Sequence, residues 1–273
     1  MDARSVTDRF PRPSVMGVVN VTPDSFSDGG VNFAAEEAIA TGRRMVAEGA
    51  AIVDVGGEST RPGAAPVSLD EELRRVVPVL EAVAHELPVS IDTAKAEVAQ
   101  RALELGAELV NDVTALRGDA AMAGVVAEAG AYVCLMHMQG EPRTMQANPT
   151  YSDVVSEVRA FLEDRLRFAV SVGIAEERIC LDPGIGFGKT VAHNFELIRR
   201  LGELTALGRP LVVGFSRKSS LGRILGDPNA TTGPLSASIA AAVTAYERGA
   251  TILRVHDVRE HVEALTAARA VVG

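Results

Sequence analysis

The stretch Ile179-Cys180-Leu181-Asp182-Pro183-Gly184-Ile185-Gly186-Phe187-Gly188 is a short apolar run that ends in a carboxylate, a proline and three glycines. The run has the length and composition of a parallel strand buried on both faces. Its Pro/Gly tail reads as a loop in which a ligand can approach the backbone closely. Asp182 thus stands where a strand leaves the core, and its charge cannot be stranded there without a partner. Two partners are open to it: a bound ligand, or the N–H groups of the following helix, which an Asp can cap.

Outward from this stretch the same arrangement recurs about eight times along the chain. Apolar strands are predicted at 15–19, ending at Asn20, and at 51–55, which carries Asp54. Others fall at 89–91, ending at Asp92, and at 108–110, ending at Asn111-Asp112. A fifth covers 131–136 and ends at His137; the seventh, 211–214, leads to Ser216-Arg217-Lys218. The eighth, 251–253, ends in Arg254-Val255-His256. Helical periodicity predicts helices at about 34–48, 69–86, 95–105, 119–129, 152–172, 192–206, 233–248 and 258–271. Ser68, with Glu71 three residues on, is a capping box for the second of these. Residues 1–13, with two prolines and no periodicity, read as a flexible N-terminal tail before a single domain spanning 14–273.

Strands alternating with helices mean parallel pairing and right-handed crossovers. Eight such units in 273 residues fit a closed (β/α)8 TIM barrel, an α/β fold of roughly 250 residues with an outer ring of helices. An open doubly wound sheet is the alternative.

Composition narrows the function. The formal net charge of −9 argues against a nucleic-acid binder, so an anionic ligand must be held by a local basic cluster. Cys134 and Cys180 both fall in predicted core strands, as buried free thiols in a reducing compartment, and no zinc-type spacing occurs. The N-terminal residues Asp2, Arg4, Asp8 and Arg9 do not form a signal peptide, and no apolar run reaches the roughly 18 residues of a membrane span, so a cytoplasmic location is expected. Lys and Arg total 27, yet only Lys95, Lys189 and Lys218 are lysine. Two of the three lie in strand-end loops, which marks those two as candidates for a functional role.

Barrel enzymes work at the C-terminal ends of their strands. Those ends carry Asn20, Asp54, Asp92, Asn111, His137, Asp182, Lys218, Arg254 and His256, whereas the opposite ends carry Pro88, Gly106, Gly130, Pro210 and Gly249. The asymmetry puts a polar cavity at one face. Asp92, Asn111 and Asp182 suit a flat heterocycle with amidine-type N–H groups, which a carboxylate pairs through two parallel bonds. Lys218, Arg217, Arg254, Arg61 and His256 suit an anion. Asn20 and the nearby loop oxygens suit a hydrated Mg2+. Plainer roles compete: Asn111-Asp112 as a helix cap, Arg254 paired with Asp54 inside the mouth, and His137 as a satisfied loop histidine. Gly188-Lys189-Thr190 resembles the tail of a P-loop, but Pro183 stands where that motif needs glycine. The Gly184/Gly186/Gly188 spacing is not a dinucleotide fingerprint either.

Longer motifs carry a resemblance. Met16 to Gly30 (MGVVNVTPDSFSDGG), Asp54 to Gly63 (DVGGESTRPG), Ser90 to Thr93 (SIDT), Asn111-Asp112, Leu181 to Gly188 (LDPGIGFG), Ser216 to Gly222 (SRKSSLG) and Arg254-Val255-His256 resemble the dihydropteroate synthase family, in the family's order, from about residue 15 to the C-terminus. The resemblance implies a folate-pathway transferase, the target of sulfonamides. Such an enzyme joins 6-hydroxymethyl-7,8-dihydropterin diphosphate to 4-aminobenzoate, giving 7,8-dihydropteroate and pyrophosphate.

The resemblance also implies site roles. Asp92, Asn111, Asp182 and Lys218 would line the pterin pocket, with Met136, Phe187 and Gly214 as its apolar wall. Arg254 would stack on the pterin and, with His256, Asn20 and Mg2+, face the diphosphate, which Thr60 also borders. Lys218, Arg254, His256 and Asp92 would carry the catalysis. Phe26, Arg61, Pro62, Lys218 and Ser219 would border the aminobenzoate. Loops at about 21–32 and 57–66 would close as lids, and outer helices would form a homodimer. A methyltetrahydrofolate methyltransferase shares the pterin barrel but needs no pyrophosphate site, so Ser216-Arg217-Lys218 argues against it. A catalytically silent pterin binder is opposed by the intact Asn20, Arg61, Lys218, Arg254 and His256.

Overall fold

The computed structural model describes residues 4–22, 30–60 and 63–272, with backbone alone at 30–33 and 272. Eight parallel strands close into a barrel in chain order. They are β1 (Ser14–Asn20), β2 (Ile52–Gly56), β3 (Val89–Asp92), β4 (Leu109–Asp112), β5 (Tyr132–Met136), β6 (Ile179–Asp182), β7 (Leu211–Val213) and β8 (Ala250–Val255), the last pairing back onto β1. A short helix α1 (Val6–Arg9) precedes them. Around the strands lie α2 (Gly30–Ala47), α3 (Leu69–Val83), α4 (Ala96–Glu104), α5 (Met122–Ala129) and α6 (Val154–Ser171). The ring is completed by α7 (Val191–Arg199), α8 (Ser219–Ile224), α9 (Leu235–Glu247) and α10 (Val258–Val272). The expected closed barrel is the one observed. Among the described residues no helix is long and apolar enough to cross a membrane.

The strand period of two builds both the core and the site. Outward residues such as Val53, Ile91, Val110, Val133, Leu181 and Leu253 are buried under the helices in one large cluster. Inward residues form a separate one, with Met16, Ile52, Leu109, Cys134, Cys180, Val212 and Ile252 among its members. Two positions further along, the inward side chain becomes polar on four strands: Ile52 is followed by Asp54, Leu109 by Asn111, Cys180 by Asp182, and Ile252 by Arg254. The barrel is therefore apolar below and charged at its mouth. Cys134 and Cys180 are register partners on β5 and β6, both buried and unbridged, as expected.

Four local expectations differ from the structure. The helix expected at 192–206 stops at Arg199 and breaks into two short 3-10 turns, Leu201–Glu203 and Thr205–Leu207, ending at Gly208 in the left-handed region. An extra helix, α8, follows Lys218; six residues containing a glycine show no readable period. The Ser68 hydroxyl caps α3 by accepting the Glu71 N–H at 3.3 Å, but the Glu71 carboxylate pairs with Arg74 and Arg75. The fourth difference is the tail. Val6 and Phe10 are buried against the barrel interior, and the Phe10 ring meets Tyr132 edge-on with centroids 5.8 Å apart. Arg9 grips Glu108 through two bonds of 2.7 and 2.8 Å, and Arg12 donates to the carbonyls of Ala250 and Tyr246. Residues 6–10 thus plug the end opposite the mouth; an apolar barrel floor needs a cover, and two apolar side chains supply it without any periodic signal.

Truncating this plug at Phe10→Ala leaves a cavity in a fully buried cluster, with an expected cost of about 3 kcal/mol or more. Urea unfolding measures it, and a loss below about 1 kcal/mol would mean the plug contributes little.

Candidate active site

Asp182 ends β6 facing inward, and its Oδ1 accepts the N–H of Gly184 at 2.6 Å. The carboxylate therefore starts the turn that follows it, while α7 is capped by Thr190. Gly184 has φ +68, and a Cβ there would lie 1.9 Å from the His137 carbonyl oxygen, so only glycine fits. Burial raises the Asp182 pKa to about 6, against the Gly184 hydrogen bond and the positive charges of Lys218, Arg254 and Lys189.

Across the mouth, Arg254 joins three strands. Its Nε donates to Asp54 Oδ2 at 2.7 Å and its Nη2 to Asp92 Oδ2 at 2.8 Å. Asn111 Nδ2 donates to the same Asp54 oxygen at 2.9 Å. Pairing with Asp54, the plainer of the two roles open to Arg254, is what the structure contains; those two bonds use two of the five guanidinium N–H groups. Burial opposes the Arg254 cation, but Asp54 and Asp92 outweigh it and hold its pKa above the ordinary value. Burial lifts Asp92 to about 7, with Arg254 pulling it down and Asp54 pushing it up. Asp112, next to Asn111, shapes the loop beyond β4 by accepting N–H bonds from Thr114 and Leu116, each at 2.7 Å.

Lys218 leads into α8 and crosses the face of the β6 loop. Its side chain lies 3.2 Å from where a Cβ on Gly186 would stand, and its Nζ is 4.4 Å from the Phe187 ring centre. That position suits a cation–π contact. Arg217 is held at φ 56, with its N–H on Ser238 Oγ and its guanidinium on Asp257. Ser216 Oγ accepts the His256 N–H and lies 3.2 Å from His256 Nδ1. The hydroxyl has one proton and two lone pairs, so it can either donate to Nδ1 or accept from it, according to the tautomer of the ring. Burial, with Arg254, Arg217 and Lys218 nearby, lowers the His256 pKa to about 3, so the ring is neutral near pH 7.

The apolar wall is Met136 and Phe187 packed with Val113, Met138 and Met145. Gly214 follows β7 facing Arg254: a Cβ there would lie 3.7 Å from the Arg254 side chain. Asn20 ends β1 in register with Gly56 of β2, and Ser219 opens α8. Thr60 is half-buried in the loop after β2. Phe26, Arg61 and Pro62 lie outside the described residues, as does most of the first expected lid. Among the described residues no cluster of three or more His, Cys, Asp or Glu side chains is arranged to hold a metal.

Two bracing networks are not foreseen from the sequence. Lys95 bonds both Glu58 and the fully buried Glu72, and Glu72 also accepts from Thr93 Oγ1 at 2.7 Å. This ties the loop carrying Thr60 to the end of β3. Asn194 accepts the Gly186 N–H at 2.8 Å and donates to Ser220 at 2.8 Å, which ties the β6 loop to α8. The scarcity of lysine is the available signal for the first; nothing in the sequence marks the second.

A family model described as "Pterin binding enzyme" matches residues 16–256. Dihydropteroate synthase of Escherichia coli K12 is 49% identical over 258 residues, covering 93% of this chain and 89% of that one. The structure of Xanthomonas albilineans dihydropteroate synthase with 4-aminobenzoic acid superposes with TM-score 0.88 at 48% identity, covering 97% of this chain and 94% of that one. The Yersinia pestis dihydropteroate synthase with a sulfonamide drug complex gives TM-score 0.88 at 46% identity, covering 96% and 95%. A family model over residues 16–256 and relatives near half identical over most of both chains agree, and the chain belongs to the dihydropteroate synthases of the pterin-binding enzyme family.

Proposed function

We propose that the chain forms 7,8-dihydropteroate from 6-hydroxymethyl-7,8-dihydropterin diphosphate and 4-aminobenzoate, and that sulfonamides compete for the aminobenzoate position. The observation that carries this is the meeting, at one barrel mouth, of the inward acceptor Asp182 with Lys218 and the His256–Ser216 pair. The first clasps the 2-amino-4-oxo edge of the pterin; the others receive the diphosphate. Asn111 and Asp92 border the ring, and the Met136–Phe187 wall covers it.

In the reaction the amine nitrogen bonds to the exocyclic CH2 and the C–O bond to the diphosphate breaks. Pyrophosphate departs and the nitrogen gives up a proton. The amine is neutral at pH 7, so no strong base is required. The dihydropterin ring donates electrons to the CH2 centre, and the protein's contribution is positioning and charge stabilisation of the leaving group. Lys218 serves both ends of the reaction because it lies between the β6 loop and Ser219, where the aminobenzoate would sit. Arg254 stacks at the pterin from its anchored position on Asp54 and Asp92. Thr60 borders the diphosphate from a loop fixed by Lys95, and Phe26, Arg61 and Pro62 complete the aminobenzoate site.

Mg2+ belongs to this site. The donor set among the described residues, the Asn20 amide oxygen without an acidic cluster, fits an ion that takes most of its ligands from the diphosphate and water. When bound it supplies positive charge to the departing pyrophosphate. A homodimer through the outer helices α9 and α10 and a cytoplasmic location complete the proposal.

Lys218→Ala is expected to cut pyrophosphate release at least about 100-fold with the fold intact; near-normal turnover would contradict its role. Asp182→Asn presents an N–H to the pterin edge and is expected to weaken pterin binding about 10- to 100-fold in calorimetry. Because burial raises Asp182 and only the carboxylate accepts both N–H groups, binding is full above about pH 7 and falls as pH drops through about 6. A flat profile from pH 5 to 7.5 would remove Asp182 from the contact.

A further inference from the structure

We propose that Lys189 is a positioning residue of the pterin site: its ammonium, sealed between the loops leaving β5 and β6, fixes the Asp182 turn and supplies the buried positive charge that keeps Asp182 ionised when a pterin covers it. The inference rests on Asp182 being the pterin acceptor.

Lys189 is 2% exposed. Its Nζ lies 2.9 Å from His137 Nδ1, 3.0 Å from the Phe187 carbonyl oxygen and 3.4 Å from that of His137. Three acceptors meet the three donors of an ammonium, a tetrahedral demand that a flat guanidinium does not satisfy. The anchor is adjacent to the acceptor it serves, since the His137 N–H bonds the Asp182 carbonyl at 3.0 Å. The loops are in backbone contact: a Cβ on Gly184 would reach 1.9 Å from His137 O, and one on Gly188 would reach 2.3 Å from Gln139 O. From the far side, Phe161 holds the His137 ring edge-on at 4.8 Å. Lys189 thus pins both walls of the Asp182 turn.

The charge matters because of what else faces Asp182. Arg254 on β8 is shared between Asp54 and Asp92. Lys218, from the β7 loop, is on the ligand side and is drawn to the diphosphate. His137 on the β5 side is neutral, its pKa lowered by burial and by Lys189 to about 2. Lys189 remains. The groups facing it in turn are His137, Asp182, Lys218 and, from α7, His193. Burial lowers Lys189 to about 7, with Asp182 holding it up, so the amine is mostly protonated at and below pH 6.

The test is calorimetric binding of 6-hydroxymethylpterin, with pyrophosphate present at saturation to occupy Lys218, to the full chain between pH 5 and 7.5, for wild type, Lys189→Met and Lys189→Arg. In Lys189→Met the acid midpoint is expected to rise by about one pH unit, giving about fivefold weaker binding at pH 6, close to tenfold at pH 5 and little loss at pH 7.5. Lys189→Arg, which keeps the charge but misplaces the bonds, is expected to bind more weakly at every pH with an unmoved midpoint. A uniform loss in Lys189→Met, or wild-type binding, overturns the proposal. If Lys189→Met does not fold, Lys189→Arg decides, and a shifted midpoint overturns it. Wild-type protein that binds no pterin would instead remove the Asp182 assignment itself.

Discussion

One guanidinium inside the barrel mouth holds the site together. Arg254 is in register with Met16 on β1, yet its bonds reach past that strand to Asp54 on β2 and Asp92 on β3. The cluster is costly to bury, because taking such charges out of water is offset only when geometry and hydrogen bonding are close to complete. A hydrophobic barrel would be no less stable. What the ion cluster provides is a set of acceptors fixed in direction before any ligand arrives, and that pre-organisation separates a binding mouth from a plugged one. Gly214 faces this side chain: a Cβ there would stand at ordinary contact distance, 3.7 Å, from Arg254.

The basic residues of the mouth and of the surface are used in different geometries. Several arginines meet one carboxylate with their fork, as in Arg9 with Glu108, Arg43 with Glu86 and Arg217 with Asp257, while Arg254 and Arg200 each span two. Lysine is used where several segments converge on a point. Lys95 joins two carboxylates from different segments, Lys189 joins an imidazole and two carbonyls, and Lys218 crosses the β6 loop. All three lie at or just beneath the functional mouth. The loops there are rich in glycine and lack regular hydrogen bonding of their own, so a compact three-donor charge is an effective means of fixing them.

The barrel and its polar end were legible because a closed parallel sheet has one working face and a side-chain period of two. Asp54, Asn111, Asp182 and Arg254 each stand two residues past an inward apolar residue, a relation that needs no knowledge of helix packing. Glu72 was not legible: in sequence it is one of three acids in the first turn of a helix, ordinarily solvated, and only the fold brings Lys95 and Thr93 onto it. The partner of Arg254 was undecided because pairing with Asp54 and facing an anion use the same residue, and distance alone separates them. The plug was missed because docking two side chains into a barrel end leaves no repeating pattern.

That plug has a bearing on how the molecule is made. Arg12 bonds carbonyls at Tyr246 and Ala250, more than two hundred positions later in the chain. A segment that leaves the ribosome early therefore has docking partners that are synthesised much later. Until β8 arrives, Val6 and Phe10 have an incomplete receptacle, because Ile252 of that strand is part of the cluster they join. Closure is then a single late event that seals the seam and the floor of the barrel together.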